Sequence, residues 1–310
     1  MNYKHLLIFI IIICILLLLV RISINIDTKE INIDIKEIKN NNRLELLKSK
    51  KELPTNKPLL WFYWEDMNTK RPGYIDICID SIYKKCSNSF NIIKLDKNNI
   101  NDYLPEIIHN KMNFKDLKIA QKVDFYRILL MYKYGGIYID VDILVLKDLK
   151  QIHDKLKLYD YVGFGCTGNK CKDGTGRPSN WILCSRPNTT LMLNILHRYY
   201  DKINKNEKIT YHDLGKILIW EELDNLIKNN GYKYYHYPNL YDGTRDVNGN
   251  WVSMSRLFSN ENILYDRPNE LLFIVLYNSD ATEEIKKLTK EELLNSNYFI
   301  SKYFNKSINQ

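Results

Sequence analysis

"YGGIYIDVDILVL", Tyr134 to Leu146, places two acidic residues inside an apolar run that otherwise predicts one buried strand from Ile137 to Leu146. Burying a carboxylate without a partner is strongly unfavourable, so Asp140 and Asp142 require a ligand or a counter-charge. In an extended strand, residues two apart face the same side, roughly 6.5 to 7 Å apart along the chain. We therefore expect the two carboxylates to converge on one ligand.

The ligand that suits this pair is a hard divalent cation. Two neighbouring carboxylates raise each other's pKa unless a cation stands between or beside them. Oxygen ligands favour Mg²⁺ or Mn²⁺, and these ions usually complete their coordination shell with water and substrate phosphates. The pattern D-x-D alone is common in surface loops, but here apolar residues flank it on both sides, which favours a metal site. At the end of a parallel strand, that site would lie at the carboxyl edge of the sheet, where open α/β folds bind ligands.

The segment before the aspartates, Lys115 to Tyr134, is predicted as an amphipathic helix. Its apolar residues recur at i, i+4, i+7 and i+11 from Ile119, which places them along one stripe. Gly135 and Gly136 end this helix, and one of them is free to adopt the left-handed conformation that follows a helix C-terminus.

The same helix carries Asp124 and Arg127, three residues apart and therefore on one face. One interpretation is an exposed ion pair within the helix, contributing about 0.3 to 0.5 kcal/mol. The other is functional: Asp124 accepts a hydrogen bond from a ribose or sugar hydroxyl, and Arg127 neutralises a diphosphate or holds a sugar. The residues alone leave both interpretations open.

The rest of the chain alternates predicted strands and helices. Strands are predicted at Leu59–Trp64, Phe90–Asp96, Tyr159–Phe164, Trp181–Ser185 and Leu271–Tyr277, and helices at Tyr74–Lys85, Thr190–Asn204, Gly215–Asn229 and from Lys290. This alternation predicts an α/β fold, with a mostly parallel central sheet flanked by helices, in one domain over residues 57–310.

The N-terminus predicts membrane attachment. The apolar residues between His5 and Val20 would span about 22 Å as a helix, somewhat less than the roughly 30 Å bilayer core. No A-x-A-like cleavage site follows, so we expect a short cytosolic tail and an uncleaved transmembrane signal anchor in residues 1–21, then a stem in residues 22–56. This predicts a single-pass type II protein of a Golgi- or ER-like or other internal membrane, or of a host membrane if the chain is viral.

Composition excludes some classes of partner and site. Lys and Arg outnumber Asp and Glu 45 to 37, but they are scattered among acids and asparagines, so we expect no nucleic-acid partner. Cys166 and Cys171 are close enough in sequence to pair if the domain faces an oxidising lumen. Gly163 to Gly168 fits G-x-G-x-x-G, but the loop residues after it do not open the helix that a dinucleotide site requires.

Three segments together resemble the sugar-nucleotide transferases that share the DXD sugar-binding region. These include fungal Golgi mannosyltransferases, large glucosylating bacterial toxins and capsular-polysaccharide-synthesis proteins. "VDFYRILLMYKYGGIYIDVDILVLKDL", Val123 to Leu149, is similar to the family's core signature. "LLWFYWED" resembles its first strand, in which the residue matching Trp64 stacks on the nucleotide base. "PSNWILCSRP" resembles the segment whose asparagine, here Asn180, approaches the donor sugar.

The resemblance implies a GT-A fold, a nucleoside-diphosphate sugar donor, Mn²⁺ or Mg²⁺, and retention of the anomeric configuration. It implies that Asp140 contacts the ribose or sugar, that Asp142 binds the metal, and that these two with Arg127 carry catalysis. The acceptor is expected to be a glycan, protein or lipid. Relatives add metal or phosphate ligands from a C-terminal loop; the candidates in this chain are Trp251, Ser253, Asn278 and Asp280.

Two other functions fit parts of the pattern. A non-catalytic nucleotide-sugar or carbohydrate-binding module on the same fold is the main alternative to a membrane-anchored hexosyltransferase of polysaccharide biosynthesis. A glycosidase would need its two carboxyl groups to flank the scissile bond. Residues i and i+2 of one strand face the same side, which disfavours that chemistry.

Overall fold

The computed structural model describes residues 50–54, 56–66, 70–105, 117–166, 177–204 and 213–309. Apart from Lys50, these residues belong to the unit Lys51–Gln310. The predicted signal anchor and the predicted stem up to residue 49 lie outside the described residues. Among the residues that are described, no helix is both long and apolar enough to cross a membrane.

The described strands form a main sheet and a separate two-stranded ribbon. The strands are β1 (Leu59–Tyr63), β2 (Asn91–Leu95), β3 (Gly136–Ile139), β4 (Ile143–Val145), β5 (Tyr161–Cys166), β6 (Arg177–Pro178), β7 (Ile182–Ser185), β8 (Tyr234–Tyr237) and β9 (Phe273–Val275). The helices are α1 (Gly73–Cys86), α2 (Ile100–Tyr103), α3 (Ile119–Lys133), α4 (Lys150–His153), α5 (Thr190–Asn204), α6 (Lys216–Asn230), α7 (Met254–Leu257), α8 (Glu283–Lys287), α9 (Lys290–Asn295) and α10 (Ser301–Asn309). Short 3₁₀ turns occupy Asp154–Lys157, Asn239–Tyr241 and Asn278–Asp280.

The main sheet is mixed, with strand order β2-β1-β3-β7-β5-β6 and β8 also paired to β5. β1 runs parallel to β2 and β3, and β5 runs parallel to β8. β7 is antiparallel to both β3 and β5, and β6 is antiparallel to β5. The α/β class is confirmed, but the prediction of a mostly parallel sheet is wrong. A parallel neighbour needs a long crossover, usually a helix, whereas the helical elements described between β3 and β7 span only four residues each.

The stretch predicted as one strand, Ile137–Leu146, is broken at the two aspartates. β3 ends before Asp140, and the Ile143 N–H donates to the Asp140 carbonyl oxygen at 3.2 Å, which closes a turn. β4 then begins and pairs antiparallel with β9. The expectation that both aspartates lie on one face of a strand is therefore wrong, because a turn sets the direction of their side chains.

This turn carries the chain from the main sheet to the ribbon. The Asp140 N–H donates to the Trp181 carbonyl oxygen next to β7, at 2.8 Å. The Asp142 carbonyl oxygen accepts from the Leu276 N–H next to β9, at 3.0 Å. The backbone of each aspartate is thus held by a different sheet.

The glycine pair between α3 and Ile137 ends α3, as predicted. Gly135 has φ of 68° and Gly136 has φ of 94°, a region that residues with a Cβ rarely adopt. A Cβ on Gly136 would also lie 2.3 Å from the Leu59 carbonyl oxygen, so this glycine lets β3 approach β1.

Helix α3 is buried over most of its circumference and not along one stripe. Ile119, predicted for the apolar stripe, is 40% exposed. Asp124 and Arg127 are only 6% and 5% exposed. The interpretation of this pair as an exposed surface ion pair is therefore wrong, and two charged groups in the interior need partners.

The C-terminal helices bring the end of the chain back to the start of α1. α9 and α10 pack against α1, and the Gly73 N–H donates to the Leu288 carbonyl oxygen at 3.1 Å. α5 has its predicted bounds. Free thiols are buried at Cys78, Cys86 and Cys184. The proposed Cys166–Cys171 pair falls outside the described side chains.

Candidate functional site

All six residues that the sequence predicts for the site border one cleft. They are Trp64, Asp124, Arg127, Asp140, Asp142 and Asn180. The cleft has a volume of about 1140 Å³ and lies where β1 and β3 end and the ribbon begins. The elements that contribute these residues are thus far apart in sequence and meet at one edge of the main sheet.

The guanidinium of Arg127 is the centre of the buried charge network. It pairs with both oxygens of Asp140, with Nη2 3.0 Å from Oδ1 and Nη1 3.2 Å from Oδ2. Nη2 also lies 3.4 Å from Asp124 Oδ1, and Nη1 donates to the Asn180 carbonyl oxygen. Each of its three nitrogens contacts a protein oxygen, since Nε donates to the Val123 carbonyl oxygen at 3.4 Å. Arg127 therefore holds the two carboxylates in place, which is a positioning role.

Asp124 and Asn180 form a second contact within this network. Asn180 Nδ2 donates to Asp124 Oδ1 at 2.7 Å. Burial raises the pKa of Asp124 to about 6, although Arg127 and the Asn180 amide both favour the ionised carboxylate. Gly215, just before α6, lies against this bond: a Cβ there would be 2.6 Å from Asn180 Nδ2 and 3.2 Å from Asp124 Oδ2.

The surroundings of Asp140 and Asp142 disfavour a negative charge on both carboxyl groups at once. Burial raises the pKa of Asp140 to about 7 despite the opposing effect of Arg127, and the charge on Asp142 adds to the rise. Burial also raises the pKa of Asp142, while the N–H of Asn278 favours its ionised form. A further positive charge beside this pair would therefore offset the cost of ionising both carboxyl groups.

Asp142 is oriented by the turn that follows β9. The Asn278 N–H donates to Asp142 Oδ2 at 2.7 Å. The side chain of Asn278 is held in turn by the hydroxyl of Tyr74, which donates to its Oδ1. Tyr277 precedes this residue with φ of 58°, in the left-handed region that favours glycine. A bulky residue in this conformation indicates a turn that the surrounding structure imposes.

Trp64 lies at the end of β1, where its indole nitrogen donates to Asp66 Oδ1 at 2.8 Å. Basic side chains from two distant segments also border the cleft: Lys70 and Arg71 before α1, and Lys286 and Lys287 in α8. Cationic groups near an aromatic ring suit a ligand that combines a base with phosphates.

The carboxylates fit a divalent ion that takes part of its coordination shell from a substrate. Within the described ranges, no group of three or more His, Cys, Asp or Glu side chains is placed to hold a metal ion by itself. Asp140 and Asp142 supply two hard oxygen donors with raised pKa values, and Asp280 adds a further negative charge near Asp142. Mg²⁺ and Mn²⁺ are commonly bound through one or two carboxylates together with substrate phosphates.

Several cleft residues had no signal in the sequence. Gly215 was predicted only as the start of a helix, and Lys286 and Lys287 were not predicted for the site. Of the C-terminal candidates, Trp251 and Asn278 border the cleft, whereas Ser253 and Asp280 are not among its lining residues. Ser253 instead caps α7 by accepting from the Arg256 N–H.

The G-x-G-x-x-G pattern has a packing role in its described part. Gly163 and Gly165 lie within β5. A Cβ on Gly165 would be 2.4 Å from the Arg177 carbonyl oxygen, so this glycine allows β6 to pair closely with β5. Gly168 lies outside the described residues.

Comparison with known proteins points to one family. Residues 18–242 match the family described as capsular polysaccharide synthesis protein. An uncharacterized glycosyltransferase, L373, of Acanthamoeba polyphaga mimivirus is 28% identical over 152 residues, which are 46% of this chain and 56% of that protein. The chain thus spans little more than half the length of this relative.

Two solved structures show weaker likeness. The PaToxG glycosyltransferase has 15% identity and a TM-score of 0.42, covering 62% of this chain and 77% of its own. A glycosyltransferase involved in the glycosylation of the major capsid of PBCV-1 has 11% identity and a TM-score of 0.39, covering 74% and 98%. Scores this low carry no functional inference.

Proposed function

The chain belongs to the family of capsular polysaccharide synthesis proteins, and from this membership and the cleft we propose that it is a glycosyltransferase. The proposed reaction moves a hexose from a nucleoside-diphosphate donor to a hydroxyl of a glycan, protein or lipid acceptor. The bond from the anomeric carbon to the diphosphate oxygen breaks, a bond from that carbon to the acceptor oxygen forms, and the hydroxyl proton is released. A bound Mn²⁺ or Mg²⁺ would assist this transfer, and the anomeric configuration would be retained.

The position of Asp140 and Asp142 is the observation that carries this proposal. Both carboxylates border the cleft where the chain passes from the main sheet to the ribbon. Arg127 holds one of them and the Asn278 N–H holds the other. A purely structural ion pair would need neither a second carboxylate at the cleft nor a separate turn to orient it.

In this proposal, Asp142 and Asp140 hold the divalent ion, and Asn278 lies beside them. When bound, the ion would stabilise the negative charge that develops on the leaving diphosphate. Arg127 orients the Asp140 carboxylate and favours its ionised form, because the guanidinium pairs with both carboxylate oxygens.

The remaining predicted residues would bind the organic part of the donor. Trp64 is assigned to the nucleotide base, which stacks on aromatic rings. Asn180 and Asp124 are hydrogen-bonded to each other at the cleft, so we assign this pair to hydroxyls of the donor sugar or ribose. Lys286 and Lys287 face the cleft from α8 and would attract the diphosphate.

A thermal-shift panel tests donor and metal binding. Wild-type protein is heated with UDP, GDP and CMP sugars, each with and without Mn²⁺; we expect one nucleotide class to raise the melting temperature only with metal. Asp142→Asn should abolish this shift. Asp266→Asn, which removes an exposed carboxylate that does not border the cleft, should preserve it. The proposal fails if no nucleotide sugar raises the wild-type melting temperature in the presence of metal.

Donor hydrolysis separates an enzyme from a binding module on the same fold. We expect wild-type protein with Mn²⁺ to release free sugar from the donor identified by the thermal shift, and Asp142→Ala not to do so. A metal-dependent thermal shift without hydrolysis or transfer would favour the non-catalytic module. Retention is tested by the anomeric configuration of the transferred sugar in the NMR spectrum of the product.

We further propose that residues 1–21 anchor the protein in an internal membrane as a type II single-pass segment. Residues 22–56 would form the stem and residues 57–310 the catalytic domain. The apolar run between His5 and Val20 supports this proposal. Resistance of the full chain to alkaline carbonate extraction, together with protease protection of the C-terminal domain in sealed vesicles, is the expected result. Release by carbonate would contradict it.

A further inference from the structure

Trp251 and Tyr277 form an aromatic pair that the donor-site assignments leave unused. Both border the cleft, with ring centroids 4.7 Å apart and an interplanar angle of 41°. Trp251 is 40% exposed, although most tryptophans lose nearly all of their surface to a core or an interface. Such a large apolar side chain at the wall of a cleft indicates contact with a ligand.

A short hairpin fixes the backbone of Trp251 through polar contacts. Arg245 and Trp251 form an antiparallel bridge, and the Asn250 N–H donates to Asp246 Oδ1 at 2.8 Å within the connecting loop. Arg256 donates to the Trp251 carbonyl oxygen at 2.8 Å and to Asp246 Oδ2 at 3.0 Å. The hairpin therefore presents the indole at a set position without burying it.

The backbone on both sides of Tyr277 is bonded to Asp142. The Leu276 N–H donates to the main-chain oxygen of Asp142 and the Asn278 N–H to its Oδ2. Tyr277 itself has φ of 58°. Strained backbone of this kind persists where the surrounding structure imposes it, and it concentrates at ligand sites.

The cleft thus has two aromatic positions on different sides of the fold. Trp64 extends β1, and its main-chain N–H donates to the Leu95 carbonyl oxygen of β2 at 2.9 Å. Tyr277 follows β9 on the ribbon side, and the aspartate turn connects β3 to that ribbon. The cleft volume of about 1140 Å³ exceeds the roughly 300 to 1,000 Å³ of most single-ligand pockets. There is room for a second ligand beside a donor bound at Trp64.

We infer that the Trp251–Tyr277 pair is the acceptor subsite and that it binds the pyranose ring of a carbohydrate. This inference rests on the proposed function. A pyranose has an apolar C–H face that packs on the electron-rich face of an aromatic ring. Its hydroxyls need polar partners, and Ser279 and Glu283 border the same cleft.

The test compares transfer with hydrolysis in full-length protein. The donor that gives the metal-dependent thermal shift is incubated with Mn²⁺ and, separately, with the methyl α- and β-glycosides of glucose, galactose, mannose and N-acetylglucosamine. Mass spectrometry measures the glycosylated product, and free sugar measures hydrolysis. We expect wild-type protein to glycosylate at least one glycoside. Trp251→Ala should lower the ratio of transfer to hydrolysis about tenfold, a change of about 1.4 kcal/mol.

Two further variants test whether the effect is specific to the aromatic ring of Trp251. Trp251→Phe retains an aromatic face and should recover most of the ratio. Leu264 is 58% exposed and does not border the cleft, and its carbonyl oxygen accepts from the Val247 N–H of the same hairpin. Leu264→Ala therefore removes an apolar side chain next to the hairpin, and its ratio should equal the wild-type ratio.

Each of the other outcomes would contradict one part of the proposal. An unchanged ratio in Trp251→Ala would show that Trp251 does not belong to the acceptor subsite. An equal loss of hydrolysis and transfer would assign Trp251 to the donor site instead. If wild-type protein hydrolyses the donor but glycosylates no glycoside, the inference of a carbohydrate acceptor is wrong. Wild-type protein that neither binds nor hydrolyses any donor overturns the proposed function itself.

Discussion

Replacing Gly215 by alanine tests whether the start of α6 supports the donor-site network. The added Cβ would lie 2.6 Å from Asn180 Nδ2, whereas an unstrained contact is about 3.5 Å or more. Relief requires the amide to move by about 0.9 Å, which is enough to break its 2.7 Å hydrogen bond to Asp124. A lost hydrogen bond to a charged group corresponds to about 1.5 to 3 kcal/mol of unfolding free energy. A misplacement of this size at a reacting centre also lowers activity about tenfold to hundredfold.

The other end of the same helix supplies the control. Gly231 follows α6 with φ of 59°, and a Cβ there would meet no atom within 4 Å. Gly231→Ala should cost about 1 kcal/mol of backbone strain and leave donor hydrolysis at the wild-type rate. Urea unfolding measures stability, and release of free sugar with Mn²⁺ measures activity. Wild-type stability and activity in Gly215→Ala would refute the reasoning, because the contact with Asn180 would then be absent or easily relieved.

Three further predictions concern the buried polar groups. Arg127→Met should lower the unfolding free energy in urea by about 3 to 5 kcal/mol, because Asp124 and Asp140 lose their buried counter-charge. Arg267→Met, which breaks an exposed pair with Glu270, should cost less than about 1 kcal/mol. Burial raises the pKa of Asp242 to about 7, above the roughly 3.9 of an unfolded chain, so the fold favours the protonated form. Relative to Asp242→Asn, wild-type protein should lose on the order of 4 kcal/mol of unfolding free energy as the pH rises from about 4 to about 7; equal pH dependence of the two proteins would contradict this. Tyr74→Phe removes the hydroxyl that donates to Asn278 and should weaken the Mn²⁺-dependent thermal shift. Tyr83→Phe, which changes a more exposed ring, should leave the shift unchanged. Identical shifts in the two variants would show that Tyr74 does not orient Asp142.

Arg127 shows how the structure changes a role that the sequence suggested. An arginine three residues after an aspartate can neutralise a bound diphosphate or hold a donor sugar. In the fold its guanidinium nitrogens contact Asp124, Asp140 and two carbonyl oxygens. Those acceptors come from α3, the aspartate turn and the segment before β7, and only folding brings them together. The arginine therefore shapes the site, and the proposed function assigns the diphosphate to the cleft lysines.

Local pattern determined the elements around the site. The sequence predicted a helix at α3 and its end at Gly135, where the chain needs a positive φ, although the helix is buried over most of its circumference and not along the predicted stripe. Spacing also identified Asp140 and Asp142, because two carboxylates within an apolar run need a ligand or a counter-charge, whereas Trp64 was identified through the resemblance of its segment to the family's first strand. These inferences succeed because each depends on residues within a few positions of one another.

Tertiary structure decided everything that depends on residues distant in sequence. The apolar pattern from Ile137 to Leu146 is the same for one long strand and for two strands joined by a buried turn, so it could not show the break at the aspartates. The direction of β7 depends on the path of the connection and not on its own residues. The bond from Asn278 to Asp142 joins residues 136 positions apart, and the contact of Gly215 with Asn180 also needs the folded chain. The free energy of such contacts comes from packing and electrostatics between elements, for which a single sequence carries no local signature.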